Sequence, residues 1–166
     1  MQLQKGQRTK LQDLGIGSHL NIACNIKSGI TIDVSCFGVD ENNKLSDDRY
    51  MIFYNQKTSP NGEIKLNQDG TNNNFNVNLN GLPAQIVKLV FTAAIDGNGT
   101  MREINQVDFN ISGNNFLLSG SDFAQEKAII IAEIYKKEGV WRINSVGQGF
   151  NGGLASLLNY FGGSAA

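Results

Sequence analysis

The sequence predicts an all-β fold, a two-sheet β-sandwich with one short C-terminal helix. Three observations support this prediction. Apolar and polar residues alternate in several short segments, turns rich in asparagine and glycine separate those segments, and little helical pattern precedes the C-terminal region. A chain of 166 residues can bury one such core. We found no linker and no internal repeat, so we expect a single domain over residues 1–166.

The predicted strands begin at residue 29. The segment GITIDVSCFGV (29–39) alternates, and so does NFNVNLN (74–80), in which Phe75, Val77 and Leu79 recur between asparagines. The segment IVKLVFTAAI (86–95) is apolar on both faces, as is typical of a central strand. The remaining strands predicted before residue 120 are 50–54, 106–111 and 116–118.

The C-terminal third predicts a hairpin and a helix. The arms AIIIAEIY (128–135) and VWRINSV (140–146) are separated by a four-residue loop in which Gly139 would supply a positive φ. A single helical turn is predicted within 121–127. The final helix is indicated by apolar residues at helical spacing and a glycine stop, namely Leu154, Leu157, Leu158, Phe161 and Gly162.

The charge balance and hydropathy exclude several classes of protein. There are 14 Lys and Arg residues against 15 Asp and Glu residues, whereas nucleic-acid and membrane-surface proteins usually present a basic face. No apolar run approaches the roughly 20 residues of a membrane span, so direct membrane insertion is not expected. The N-terminus MQLQKGQRTKLQ is too polar for a secretory signal, and we expect a cytoplasmic protein.

The nucleophile, zinc and phosphate motifs are missing or incomplete. His19 is the only histidine, no G-x-S-x-G motif occurs, and a zinc site needs about four ligands. Cys24 and Cys36 lie in apolar segments, which favours buried thiols over a disulfide or a redox pair. The G-x-G-x-x-G segment 147–152 lacks the βαβ context and the following acid of a dinucleotide site, so we interpret it as a strand-to-helix turn, with anion binding as the minor alternative. We therefore do not expect an enzyme.

Oxygen-bearing side chains are frequent near the predicted strand ends. Calcium binds about six to eight oxygens, and no EF-hand pattern is present, so a calcium site would have to be assembled from separate loops. The alternative is that these are ordinary turn residues bonded to their own backbone. Asp33 differs because it lies inside a strand pattern, where a carboxylate needs solvent, a donor or a cation. The residues concerned are Asp33, Asp40, Asp47, Asp48, Asn55, Ser59, Asn61, Asp69 and Asp96.

Several segments together resemble one known family. LQKGQRTKL, IDVSCFGVD, KLSDDRYMIFYNQKTSPNGEI, EKAIIIAEIYKKEGVWRINSVGQGFNGGLASLL and YFGG occur in family order over most of the chain. They resemble the tellurium-resistance TerD-type proteins, and SCFGVDENNKLSDDRYMIFYNQ is most similar to the TerA-like branch. The resemblance implies a β-sandwich and a bacterial, non-enzymatic role in resistance to tellurium oxyanions and other stresses. It also implies calcium binding, and partners among other proteins of a tellurium-resistance operon in a membrane-associated complex.

Two departures from the family weaken the implied calcium site. The family's D-x-D pair is reduced here to Asp33, with Thr31 in place of the first acid, and the asparagine-rich loop 67–73 retains one acid. The calcium ligands that the resemblance implies are Asp33, Asp47, Asp48, Asn55 and Asp69.

Two functions follow from these observations. One is a calcium-binding stress-response module. The alternative is a metal-free scaffold whose acidic loops have degenerated, with contact surfaces on the asparagine ladder or on the apolar face of the C-terminal helix. The ladder comprises Asn74, Asn76, Asn78 and Asn80. Tellurite reduction through the two cysteines is the least favoured reading.

Overall fold

A computed structural model describes residues 1–162. In this part of the chain thirteen strands form two packed sheets, and one α-helix follows them. The early elements are β1 (Gln2–Leu3), β2 (Arg8–Lys10), β3 (His19–Lys27), β4 (Ile32–Val39), β5 (Met51–Ile52), β6 (Ile64–Asp69) and β7 (Asn72–Asn78). The later ones are β8 (Lys88–Ile95), β9 (Gln106–Ile111), β10 (Asn114–Ser119), β11 (Ala128–Lys137), β12 (Val140–Asn144), β13 (Gln148–Phe150) and α1 (Leu154–Tyr160).

The two sheets confirm the predicted fold class. The first sheet has the order β1-β10-β9-β3-β7-β6, and the second has the order β2-β12-β11-β8-β4-β5, with β13 also paired to β11. Every strand pair is antiparallel except β1 with β10. Non-consecutive neighbours such as β3 and β9 show that the chain crosses between the layers, as in other sandwiches.

The main core lies between the sheets and is formed by alternate residues of the longer strands. At its centre the ring of Phe91, from the second sheet, lies 5.2 Å from that of Phe75 and 5.5 Å from that of Phe109, both from the first sheet. Tilted and edge-on aromatic pairs at these distances add to the free energy gained by burial. The alternation predicted from the sequence is therefore the pattern that builds this core.

A second hydrophobic cluster lies on the opposite side of the second sheet, where α1 covers it. Leu157 and Phe161 are buried there, and the ring of Phe161 lies 5.0 Å from that of Phe37 in β4. Gly162 has a φ of 77° at the end of the helix, as its predicted role as a stop requires. The apolar face of α1 thus packs on its own sandwich and is not the open partner surface that we considered.

Several elements differ from the prediction. Strands β1, β2, β3 and β6 were not predicted, and the predicted strand 50–54 is reduced to β5, because Tyr50 belongs to a 3-10 turn over Asp48–Tyr50. The hairpin between β11 and β12 has a two-residue turn, since Lys137 pairs with Val140. Glu138 and Gly139 both have positive φ, 54° and 78°, so the expected four-residue loop is wrong.

The glycine-rich segment 147–152 also departs from the simple turn that we expected. Its residues 148–150 form β13, which pairs with the start of β11 before the chain enters α1. The turn predicted within 121–127 lies slightly earlier, at Gly120–Asp122, where Asp122 accepts a hydrogen bond from the Ser119 amide at 2.9 Å.

Candidate functional site

The predicted calcium ligands lie in separate places. Asp33 is at the start of β4 and pairs with Ala94, whereas Met51, three residues after Asp48, pairs with Phe37 farther along β4. Four strand residues span about 13 Å, so Asp33 and the Asp47–Asp48 pair lie toward opposite ends of this strand. Within residues 1–162, no three Asp, Glu, His or Cys side chains are close enough together to hold one metal ion.

Asp47 is engaged by a neighbouring cation. Its carboxylate accepts hydrogen bonds from Nε and Nη2 of Arg49 at 3.0 and 2.8 Å and from the Arg49 amide at 3.0 Å. These bonds hold the pKa of Asp47 below its usual range. In this geometry Arg49 neutralises Asp47, and the Asp48 side chain is exposed.

The other two predicted ligands are exposed, one in a turn and one at the end of a strand. Asn55 lies at the tip of a tight turn closed by a bridge between Phe53 and Gln56. Asp69 ends β6, at the hairpin that leads into β7. Asp40 behaves as a turn residue as well, because its Oδ1 accepts the amides of residues 42 and 44 at 2.9 and 3.0 Å.

A buried carboxylate that the sequence did not reveal binds two of the oxygen-bearing residues near β5, Ser59 and Asn61. Glu63, only 3% exposed, accepts hydrogen bonds from the hydroxyl of Tyr50, from the hydroxyl of Ser59 at 2.7 Å and from the amide of Asn61 at 2.7 Å. Burial raises the pKa of Glu63, but these bonds outweigh it and leave the pKa below its usual value. The same burial and bond raise the pKa of Tyr50 to about 12. This cluster fixes the 59–63 loop against Tyr50.

A pair of acidic side chains lies at the other end of β4. Burial first, and the charge of Asp96 second, raise the pKa of Asp33. The Asp96 amide donates to the carbonyl of Thr31 at 3.1 Å, so the chain after β8 returns beside the start of β4. Neither carboxylate forms an ion pair with a cation of residues 1–162. Two carboxylates fall well short of the six to eight oxygens of a calcium cage.

The two thiols are buried in the core between the sheets, Cys24 on the first sheet and Cys36 on the second, and both are free. Burial, together with the charge of Asp108, raises the pKa of Cys24 to about 12, and burial raises the pKa of Cys36. A reactive cysteine needs a lowered pKa and access to solvent. This environment therefore disfavours redox or nucleophilic chemistry at either thiol.

The outer face of the first sheet is covered with side-chain amides, and we call it the amide face. Its asparagines alternate with the core residues of four neighbouring strands and the adjoining β10. They are Asn21, Asn25, Asn67, Asn72, Asn74, Asn76, Asn78, Asn110 and Asn115. The predicted ladder is thus part of a larger surface, although Asn80 lies outside it, in the 3-10 turn Leu79–Gly81.

Fold and site together define a two-sheet β-sandwich domain, in which residues 1–162 bring no three potential metal-ligating side chains together. The chain belongs to the TerD domain family, whose family model matches residues 1–161. No helix within residues 1–162 has both the length and the apolar character needed to cross a membrane.

Curated relatives agree with this assignment. The chain is 39% identical over 116 residues to the tellurium resistance protein TerA of Alcaligenes sp., a match that covers 68% of this chain and 34% of TerA. This chain thus corresponds to about a third of the length of that relative. It is 32% identical over 148 residues to general stress protein 16U of Bacillus subtilis, covering 79% of this chain and 77% of that protein.

A solved structure shares the fold. A homologue of the telluride resistance protein TerD from Streptomyces coelicolor superposes with a TM-score of 0.70 at 16% identity, over 90% of this chain and 99% of the other. At 16% identity, this similarity establishes only that the two proteins share the β-sandwich fold.

Proposed function

We propose that this chain is a non-catalytic binding module of the bacterial response to tellurium oxyanions and general stress. The supporting observation is that the candidate reactive groups are occupied or inaccessible. Arg49 neutralises Asp47, three donors surround Glu63, and both thiols are buried. The relatives named as tellurium resistance and general stress proteins support the biological setting. Tellurite tolerance of a strain deleted for this chain, with and without complementation, tests the role.

A calcium-binding form of this module is supported by one feature, the Asp33–Asp96 pair. Burial first, and the charge of Asp96 second, raise the pKa of Asp33, and a divalent cation would relieve the repulsion between the two carboxylates. With so few carboxylates we expect weak affinity, in the millimolar range of the weaker calcium sites, roughly 10⁻⁴–10⁻³ M. Asp69 lies on a different sheet, and Asp47 lies toward the other end of β4, so we do not assign them to this pair.

Thermal unfolding with and without calcium tests this form. A ligand that binds only the folded state at about ten times its Kd stabilises it by about 1.4 kcal/mol, which raises the melting temperature by a few degrees. The increase should disappear in Asp33→Asn and persist in the control Asp69→Asn. Without calcium, Asp33→Asn should melt at or above the wild-type temperature, because it removes a repulsive charge.

The metal-free scaffold is the alternative function. It is favoured by the separation of the predicted ligands and by the absence of a cluster of three ligands within residues 1–162. An equal melting temperature at zero and 10 mM calcium, roughly ten times the weak-site Kd, would support it and exclude the calcium form. In either form we propose that the module acts with other products of a tellurium-resistance operon in a membrane-associated complex. Co-purification with those products, assayed with and without calcium, distinguishes the two forms.

A further inference from the structure

The amide face contradicts the local preferences of a β-sheet. Asparagine is disfavoured in strands, yet five of the seven residues of β7 are asparagine. A solvated sheet face usually carries mixed charges. This face does carry Lys27, Lys65, Asp69 and Asp108, but asparagine is its commonest residue, with nine on one surface. Natural proteins violate such local rules mainly at functional sites. The face therefore calls for a functional explanation.

The amides are organised in rows with a gap in the middle. One cross-strand row runs Asn67, Asn74, Ala23, Asn110 and Asn115. Because Ala23 is small, a groove of about 300 Å³ opens there, bordered by Asn21, Asn74, Asn76 and Asn110. It adjoins a second groove of about 200 Å³ toward Lys65, and the two share Asn21 and Asn76.

The amides beside the groove are available for a ligand. Asn110 is held in place, since its Oδ1 accepts the Gly113 amide at 2.9 Å and its Nδ2 donates to Asn115 at 3.2 Å. By contrast, the side chains of Asn21, Asn74 and Asn76 form no hydrogen bond with any of residues 1–162. Each free amide presents donors and an acceptor without net charge.

The composition of the groove selects among ligand classes. The lining of the first groove contains no ionisable side chain, which disfavours nucleic acid and anionic ligands there, whereas the adjoining groove is bordered by His19, Glu63 and Lys65. The first groove also lacks exposed aromatic, methionine and arginine side chains, which are enriched in protein interfaces. A neutral ligand rich in hydroxyl groups matches free amides, because every hydroxyl both donates and accepts.

We propose that the amide face is a binding site for an unbranched neutral oligosaccharide that lies across Ala23 and along Asn21, Asn74 and Asn76. This site is independent of any cation at Asp33, which lies on the second sheet.

Titration of the isotopically labelled chain with neutral oligosaccharides of about six sugars, observed by NMR, tests the proposal. The probes are a β-1,4-glucan, an α-1,4-glucan and a β-1,4-linked N-acetylglucosamine oligomer. At least one should produce saturable shifts in the side-chain NH₂ signals of Asn21, Asn74 and Asn76. The signal of Asn159, exposed on α1 across the molecule, serves as the internal control.

The affinities of four variants distinguish binding in the groove from nonspecific binding elsewhere on the surface. Asn74→Asp and Asn76→Asp keep the shape but remove the NH₂ donors, and each should weaken binding about fivefold. Ala23→Leu fills the groove and should weaken binding at least about tenfold, whereas Asn159→Asp should leave affinity unchanged. Circular dichroism confirms that each variant folds.

Two results would overturn the proposal. One is that none of the three probes at 10 mM, roughly the upper limit of weak binding, shifts the groove amides more than Asn159. The other is that the groove signals move with protein concentration in the absence of sugar. That behaviour would assign the face to self-association between copies of this chain.

Discussion

Replacing Glu63 with glutamine tests whether the buried carboxylate organises the loop around β5. One carboxylate oxygen accepts from Ser59 and Asn61, each at 2.7 Å, and the other accepts from the Tyr50 hydroxyl. Glutamine keeps the size but offers only one acceptor oxygen, so at least one of these bonds loses its acceptor or its charge. Hydrogen bonds to a charged group each contribute about 1.5–3 kcal/mol. We expect Glu63→Gln to lower the free energy of unfolding by about 2 kcal/mol.

The pH dependence of this loss has a defined sign. The folded-state pKa of Glu63 lies below its ordinary value, so the carboxylate stabilises the fold above the unfolded pKa, about 4.3. That contribution disappears as the pH falls through the lower, folded-state pKa. The difference between wild type and Glu63→Gln should therefore be complete at pH 7 and shrink in acid, below roughly pH 4.

Urea unfolding followed by circular dichroism measures this difference directly, and a thermal scan should show a loss of about 4–8 °C for a domain of this size. Glu41→Gln, on an exposed loop, is the matched control and should change stability by less than about 0.5 kcal/mol. If Glu63→Gln were as stable as wild type, or if the difference persisted unchanged at about pH 3, the carboxylate would not hold the loop as argued.

Three further predictions concern the core. Leu157→Ala should cost about 2–5 kcal/mol in urea unfolding, because the side chain is fully buried between α1 and the second sheet; a loss under about 1 kcal/mol would mean that the helix is loosely docked. Cys24 and Cys36 should resist alkylation in the native protein and react only after unfolding, whereas rapid native labelling of either would contradict their burial. Gly120→Ala should lower the free energy of unfolding by several kcal/mol, because the added Cβ would overlap with backbone carbonyl oxygens of the segment 102–104. A melting temperature equal to that of wild type would contradict this expectation.

The fold was largely predictable because its strands alternate. The alternation in β7 and β9 gave both the elements and their buried faces, and the C-terminal helix followed from the spacing of its apolar residues. The segment His19–Lys27 has the same alternation and could have been predicted as β3. Strands β1 and β2 could not have been predicted, because two or three residues are too few to show a period. They are strands because they pair with β10 and β12.

The candidate site was less predictable, because the sequence does not show at which end of a strand a neighbouring loop lies. Asp33 and Asp47 both lie near β4 in sequence, but pairing between Phe37 and Met51 places them toward opposite ends of it. Loop composition indicates that polar groups lie at a sheet boundary and does not specify which boundary. Glu63 was missed for a related reason: its partner Tyr50 is thirteen residues away, and only the packing of β5 against the following loop brings them together.

The outer faces of the two sheets differ, and the difference bears on the proposed ligand site. On the second sheet, Phe37 and its neighbours are apolar and α1 covers them, so that face contributes to stability. Among residues 1–162, no helix covers the outer face of the first sheet, and the side chains of Asn21, Asn74 and Asn76 on that face are unpaired. Since asparagine weakens a strand and gives no core in return, selection for stability alone does not account for this face. Recognition of a neutral polar ligand does, and it requires no metal ion.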